Sequence, residues 1–252
     1  IQERARDARY ELLFGYAARI GADYVMTAHH ADDQAETILF RLLRGSGVSG
    51  LAGMTSSSEW SGLVLARPLL ALAKAELAAF CETRAHPFLD DPSNHDPAYA
   101  RTRMRRLNGL LADEGLGRAA LLRLGRRAAR ADAALAARAS AVRAGLKVCR
   151  KEGGFLADVS ALAHEPEEIL LRFLGDEIKL IGGSKPLRLE RLEALAPRFG
   201  HALRAGATFT ATLGGAALWL QGNRTLAIIK EGARGDAKKT GNVSSRPLST
   251  PM

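Results

Sequence analysis

Cysteine and long apolar runs are both scarce in this 252-residue sequence. The two cysteines, Cys81 and Cys149, stand far apart, so neither a disulfide framework nor a CxxC metal or sulfur site is expected. No apolar run approaches the roughly 20 residues of a membrane-spanning helix. These absences favour a soluble protein of a reducing, cytoplasmic compartment, with a chain long enough for two domains.

Positive charge dominates the ionisable residues. Lys and Arg number 36 against 27 Asp and Glu, which gives a net charge of +9. Such an excess favours a polyanionic partner such as nucleic acid. A composition rich in Arg, Ala and Leu also follows from genome bias, so charge alone does not establish a nucleic-acid partner.

The densest ionisable cluster lies between a predicted strand and a predicted helix. Residues 24–28 form a short apolar run, and residues 38–43 repeat apolar side chains at helical spacing. The turn and the first helical turns carry His29, His30, Asp32, Asp33 and Glu36. Ligands of open α/β sheets bind beyond the carboxyl ends of strands, where helix N-termini point. This segment is therefore predicted to be an active-site edge.

Helix capping explains part of this cluster. The run Asp33 to Glu36 fits a capping box, in which Asp33 accepts a bond from a first-turn amide and Glu36 reaches back to the cap, for about 0.5 to 2 kcal/mol. Gly45 would then end the same helix. Capping requires one acid, however, and not two histidines and three acids together. The cluster exceeds what capping requires.

Two helices and a second strand are predicted around this segment. Residues 2–20 form an amphipathic helix, and residues 63–70 form a strand followed by a helix at 72–83. The apolar side of the first helix comprises Tyr10, Leu13, Phe14 and Ala17. An apolar strand such as 24–28 expects neighbours on both edges. Too few strands surround it, so we expect that sequence once preceded Ile1.

Arginine-rich segments follow. After a turn-forming loop at 88–97, four arginines occur within six residues, and Arg101 and Arg105 share a face if this segment is helical. Planar guanidinium groups suit phosphate recognition, although a solvated basic helix face is the alternative. Residues 117–145 predict a long helix with exposed arginines, which would serve as a connector or an RNA-facing surface.

The second half predicts helices followed by a β-meander. Helices are expected at 166–180 and 187–199. Strands are expected at 207–213, 216–221 and 225–230, joined by short glycine turns. The tail from Gly235, rich in Gly, Ser, Thr, Lys and Pro, is predicted to be disordered.

Four segments together resemble the bacterial tRNA(Ile)-lysidine synthetases. They are HHADDQAETILFRLLRGSGVSGLAGM from His29, ARPLL from Ala66, DDPSNHDPAYARTRMR from Asp90 and TLGGAALW from Thr212. The resemblance is strong over residues 4–106 and weak beyond. It implies an α/β fold in which residues 1–116 form part of an adenine-nucleotide alpha-hydrolase-like, Rossmann-like parallel-sheet catalytic domain. Residues 117–234 would form a mainly helical tRNA-recognition domain with a small β-meander, and residues 235–252 the tail.

The resemblance also implies an activity. It is the ATP-dependent ligation of lysine to C2 of the wobble cytidine of a tRNA(Ile) with a CAU anticodon, through an adenylated cytidine from which the lysine ε-amine displaces AMP. The implied cofactors are ATP and Mg²⁺, and the implied partners are that tRNA and free L-lysine. No membrane partner is expected, and a homodimer is possible. Free lysine is an ammonium with a pKa of about 10.4, so the site must bind it with acids and remove a proton.

Individual roles follow from the resemblance as hypotheses. The predicted catalytic residues are His30, Asp32, Asp33 and Glu36. The predicted substrate- and tRNA-binding residues are Arg44, Gly45, Ser46, Gly47, Arg101 and Arg105. The acids would bind lysine, accept its proton or hold Mg²⁺, with Asp33 as the metal ligand, and His30 would contact the adenylate or cytidine. The glycine loop would offer backbone amides to a phosphate or line the nucleotide channel.

One family motif is missing. The ATP loop, a Ser-Gly-Gly-x-Asp-Ser run after the first strand, belongs upstream of Ile1, and Gly182-Gly183 stands in the wrong place to replace it. Thr102 also stands where the family usually has Asn. The chain alone is therefore expected to be inactive without that loop. Two alternatives stay open: another ATP-dependent tRNA-modifying enzyme of this fold, although sulfur transfer lacks paired cysteines, and a non-catalytic tRNA-binding fragment.

Overall fold

The computed structural model describes residues 2–60, 62–89, 107, 109–150, 154–183 and 185–232. The chain divides into two compact units, Ile1–Ala133 and Ala134–Met252. The division falls inside one long helix, Arg118–Gly145, which begins directly after the boundary predicted at residues 116/117. None of the helices in these ranges is both long and apolar enough to cross a membrane.

The first unit alternates helices with short strands. Its elements are α1 (Gln2–Arg19), β1 (Tyr24–Met26), α2 (Ala31–Leu43), α3 (Val48–Leu51), β2 (Ser57–Trp60), β3 (Leu63–Ala66), α4 (Lys74–Thr83) and the first part of α5 (Arg118–Gly145). The sheet has the order β1-β3-β2, in which β3 runs parallel to β1 and antiparallel to β2. The predicted α/β fold with parallel strands is confirmed, whereas β2 had not been predicted.

The helix α1 packs on this sheet through one apolar stripe. Tyr10, Phe14 and Ala17 are buried together with Val25 of β1 and Leu65 of β3. Trp60 stacks on the rings of Tyr10 and Phe14, at centroid distances of 5.5 and 5.7 Å. Leu13 was predicted to share this face but is exposed, because it lies at the edge of the stripe.

The second unit places two helices on an antiparallel sheet. Its elements are β4 (Phe155–Asp158), a short 3₁₀ helix (Ser160–His164), α6 (Glu167–Gly182), α7 (Leu189–Ala205), β5 (Phe209–Leu213), β6 (Ala216–Leu220) and β7 (Thr225–Lys230). The strand order is β4-β7-β6-β5, and every neighbouring pair is antiparallel. The predicted meander and both predicted helices are confirmed, and β4 extends the meander by one strand. Phe155, Phe173 and Phe199 are fully buried in the core between them.

A close approach of α6 to the β5–β6 turn yields a stability prediction. A Cβ atom on Gly182 would overlap the carbonyl oxygen and carbon of Gly214. We therefore expect Gly182→Ala to lower the free energy of unfolding by about 2 kcal/mol, because the helix end and the turn must separate. Gly145→Ala is the control, since a Cβ there meets nothing within 4 Å. Urea unfolding measures both, and equal midpoints would contradict the predicted overlap.

Candidate active site

The N-terminus of α2 lies beyond the carboxyl ends of the parallel strands. After β1 the Thr27 amide donates to the Ala66 carbonyl at the end of β3, at 3.0 Å. The Ala31 amide, at the start of α2, donates to the Leu72 carbonyl at 2.8 Å. These bonds place the ionisable segment where open α/β sheets bind their ligands. The predicted strand–turn–helix arrangement is confirmed.

The capping box at this terminus uses different residues from those predicted. His30 is the N-cap: its amide donates to Asp33 Oδ2 at 3.1 Å, and its ring Nδ1 accepts from the Asp33 amide at 3.4 Å. The predicted box of Asp33 with Glu36 is therefore wrong by three residues, because a histidine ring supplies the acceptor that the prediction sought in Asp33. Glu36 consequently takes no part in the cap.

The imidazole of His30 and the carboxylate of Asp33 hold each other in place. Because Nδ1 accepts a hydrogen bond, the proton of a neutral ring is on Nε2, which lies 3.4 Å from Asp33 Oδ2. His29 is held separately, with its Nδ1 2.8 Å from the Thr27 hydroxyl. The cap thus fixes the direction of the Asp33 side chain.

Asp32 joins three helix N-termini. Its Oδ2 accepts from the Lys74 amide of α4 at 2.8 Å, and its Oδ1 accepts from Arg118 Nη1 of α5 at 3.0 Å. Burial alone would raise the pKa of Asp32. The hydrogen bond from Lys74 and the hydrogen bond and charge of Arg118 outweigh burial, so the pKa lies below its ordinary value of 3.8. Asp32 is therefore an ionised cross-link at neutral pH.

Asp32→Asn should reduce stability near neutral pH but not in acid. Because the folded-state pKa is lowered, the carboxylate contributes stability above its ordinary value of 3.8, and the contribution is lost as the pH falls through the lowered pKa. Its side chain is about one-third exposed, so the expected effect is about 1 kcal/mol or less. The Tm difference from wild type should vanish on acidification. For the exposed control Asp7→Asn, any Tm difference from wild type should be the same at every pH. A Tm difference for Asp32→Asn that is likewise independent of pH would contradict this role.

Glu36 lies one helical turn after Asp33. The two residues are three apart, so they share one side of α2, which we term the acid face. Glu36 is only 9% exposed. Asp32 and Asp33 both lie in the first turn, where the helix dipole favours negative charge. The acid face thus combines a carboxylate at the helix terminus with a buried one.

The glycine loop after α2 has a structural role. The Gly45 amide donates to the Leu42 carbonyl and the Ser46 amide to the Arg41 carbonyl, both at 3.0 Å, and Gly45 has a φ of +67°. This is a Schellman C-cap, and the Arg44 amide is bonded within it too. Three of these four amides are occupied within the cap, at the negative end of the helix dipole, and their predicted contact with a phosphate stays a prediction. Their lining of a nucleotide channel stays a prediction.

Two side chains of α2 hydrogen-bond the backbone of residues 50–54, in the second half of the motif. Gln34 exchanges two hydrogen bonds of 2.8 Å with the backbone of Met54. Arg41 donates through Nη1 to the carbonyls of Gly50 and Gly53, each at 2.8 Å. Sequence reasoning missed these anchors, although both lie inside the long motif as polar residues at helical spacing.

Comparisons with known proteins agree with this geometry. The PP-loop domain family matches residues 1–109. The tRNA(Ile)-lysidine synthase of Methylobacterium sp. (strain 4-46) is 47% identical, over 96% of this chain and 71% of the relative. The chain belongs to the tRNA(Ile)-lysidine synthase family. The synthases of Methylobacterium nodulans and Rhodopseudomonas palustris are 46% and 40% identical, over 88% and 93% of this chain and 67% and 70% of their own lengths.

Family membership confirms the resemblance that the motifs indicated. The match to the PP-loop domain also confirms the expected Rossmann-like fold. The PP-loop domain is an ATP-binding domain, so the use of ATP is supported as well. Of the predicted catalytic residues, the structure brings His30, Asp32 and Asp33 together at one helix terminus, with Glu36 a turn away. Arg101 and Arg105 lie outside the described residues, as does the predicted tail from Gly235.

The predicted magnesium ion has few protein ligands among the described residues. Within these ranges no three His, Cys, Asp or Glu side chains are grouped so that they could hold a metal ion. Two carboxylates on one helix face are too few protein ligands for a dedicated site, although Mg²⁺ commonly completes its shell with water and phosphates. The assignment of Asp33 as a metal ligand therefore stays a prediction.

Proposed function

We propose that this chain provides the lysine-binding side of the active site that ligates lysine to C2 of the wobble cytidine in a tRNA(Ile) with a CAU anticodon, forming lysidine with the use of ATP. The observation that supports this most strongly is the acid face of α2, beyond the ends of two parallel strands. Asp33 and Glu36 are the residues assigned to lysine. A cytoplasmic location and a homodimer remain predictions.

The chemistry requires acids because lysine is protonated in water. At pH 7.4 about one ε-amine in a thousand is neutral, given its pKa of about 10.4. A carboxylate that binds the ammonium and accepts a proton restores the nitrogen lone pair. The nitrogen then forms a bond to C2 as the bond from C2 to its oxygen breaks. The contribution of ATP is to convert that oxygen into a leaving group.

Asp33 is the acid best placed for this contact. Its Oδ2 accepts the cap bond from His30, and no described residue bonds its Oδ1. The cap keeps the carboxylate in one orientation before lysine arrives, which reduces the ordering needed on binding. His30 acts here as a positioning residue, and its predicted contact with the cytidine remains a proposal. Asp32 is assigned to holding the helices, since both of its oxygens are already bonded.

Contacts to the ATP phosphates are not assigned to individual residues. Three amides of the loop after α2 are bonded within the C-cap. Gly214 and Gly215 form the hairpin turn between β5 and β6 in the second unit. Neither resembles the strand-to-helix glycine loop that cradles phosphates in nucleotide-binding folds.

Incorporation of labelled lysine tests the proposed activity. The full-length protein, ATP, Mg²⁺, labelled lysine and a tRNA(Ile) transcript with a CAU anticodon should give label in the RNA, one equivalent per tRNA. A transcript with uridine in place of the wobble cytidine should remain unlabelled, and so should the reaction without ATP. Tight binding of the transcript with no label under any condition would overturn the proposal and favour a tRNA-binding protein.

A further inference from the structure

A pocket of about 420 Å³ lies on the other side of α2 from the acid face. Ala31, Gln34 and Ile38 form its α2 wall, and these positions share a face that is opposite Asp33 and Glu36. Residues 52–56, residues 67–71 after β3 and residues 122–129 of α5 supply the other walls, all within the first unit. We term it the α2–α5 pocket. Its position makes it separate from the predicted lysine site.

Arg67 is a buried cation in the wall of this pocket. The residue is 8% exposed, and its Nη1 donates to the Thr55 carbonyl at 2.9 Å. Its Nε is buried and has no hydrogen-bond partner within the described part of the chain. No acidic residue is among the described residues that line the pocket. A buried guanidinium without an anion is costly, and its fork of donors matches a phosphate or carboxylate.

A row of arginines continues from the pocket along α5. Arg126 lines the pocket, and Arg123, Arg127 and Arg130 complete an i, i+3, i+4, i+7 pattern on the same helix face. All four side chains are exposed. The row extends from residue 123 to residue 130, a rise of about 10 Å along the helix. Several cations in line suit a polymer with repeated phosphates better than a single small anion.

We propose that the α2–α5 pocket and the arginine row bind the tRNA strand. One nucleotide enters the pocket with its phosphate on Arg67 and Arg126, and its base lies against apolar walls such as Ile38, Met54 and Leu122. Neighbouring phosphates lie along the row. Lysine is a poor fit, because its ammonium would meet two guanidinium groups and no described carboxylate. The proposal rests on the proposed function, which makes tRNA the substrate.

Equilibrium binding of a labelled tRNA(Ile) transcript over a series of salt concentrations tests this site. Arg126→Gln should bind about five- to eightfold more weakly at 0.1 M salt and lower the slope of log K against log salt by about 0.7 to 0.9, the loss of one phosphate contact. The matched control is Arg9→Gln, an exposed arginine of α1 that does not line the pocket, which should bind like wild type. Equal affinity and slope for Arg126→Gln and Arg9→Gln would overturn the proposal.

Arg67 requires a more conservative substitution, because its Nη1 also donates to the Thr55 carbonyl. Arg67→Lys keeps the charge but loses the planar fork, so it should weaken tRNA binding with a smaller change of slope than Arg126→Gln. Its Tm is measured alongside. If Arg67→Lys does not fold, Arg126→Gln alone decides.

Two further comparisons are needed. One distinguishes RNA from a free nucleotide or phosphate as the ligand of the pocket, and the other distinguishes failure of this proposal from failure of the proposed function. AMP and inorganic phosphate should not displace the transcript at concentrations that leave the ionic strength unchanged. If either displaces it from the wild-type protein but not from Arg126→Gln, the pocket binds a free nucleotide and the RNA proposal is overturned. If the arginine dependence is found but lysine is never incorporated, the pocket stands and the proposed function fails. If lysine is incorporated and Arg126→Gln binds like wild type, only the pocket fails.

Discussion

Asp33→Asn should lower the rate of lysine incorporation into tRNA(Ile) by about 100-fold or more, the usual effect of removing an acid–base group. Asparagine retains an oxygen that can accept from the His30 amide, now 3.1 Å from Asp33 Oδ2, so the helix cap survives. What is lost is the charge that binds the ammonium and the ability to take its proton. The rate should therefore fall without a matching fall in Tm.

The measurement is a single-turnover rate at saturating tRNA and ATP, across a range of lysine concentrations. Asp176→Asn, the same change at an exposed position of α6, is the control and should react like wild type. Raising the pH should partly restore the Asp33→Asn rate, because more lysine is then neutral. An Asp33→Asn variant with wild-type rates at every lysine concentration would remove Asp33 from the site.

Glu177→Gln should strongly destabilise the second unit. Glu177 of α6 is fully buried, and its carboxylate contacts Arg143 Nε and Arg150 Nη2, each at 2.9 Å. The glutamine amide cannot satisfy both guanidinium groups, which remain close together. The two arginines are 38% and 39% exposed and regain water, so the expected loss is about 3 kcal/mol, at the lower end for a broken buried pair.

Calorimetry of the full chain should show the transition of the second unit lowered by about 10 °C, given the usual relation of Tm to stability for a unit of this size. Glu190→Gln, at an exposed position of α7, is the control. Arg143→Gln and Arg150→Gln should each cost less, about 1 kcal/mol, because the other arginine still neutralises the carboxylate. A loss below about 1 kcal/mol for Glu177→Gln would contradict this reading of the cluster.

Elements with strong local patterns could be predicted from the sequence. Helical spacing of apolar residues identified α1 and α2, a composition rich in Ala, Leu and Arg identified α5, and short glycine turns between strand-like runs identified the meander β5–β7. The acidic segment could also be placed at a strand end, because a strand, a turn and a helix follow each other there without interruption. These are features in which neighbouring residues determine the structure.

Features that depend on distant residues could not be predicted in the same way. The strand β2 is the polar run Ser57 to Trp60 and is a strand because it pairs with β3. The partners of Asp32, Lys74 and Arg118, stand 42 and 86 residues away in sequence. The pocket that Arg67 lines likewise combines residues of α2 and α5. No local pattern contains this information.

The central claim is that the acid face of α2 binds the side-chain ammonium of lysine. Its most direct test is to measure the equilibrium affinity of the full-length protein for lysine and for norleucine. Norleucine has the same carbon chain but no ε-ammonium. The account predicts that wild type prefers lysine by about tenfold or more, as expected for a charged hydrogen bond, and that Asp33→Asn with Glu36→Gln abolishes the preference. Equal wild-type affinities, or a preference that survives in the double variant, would contradict it.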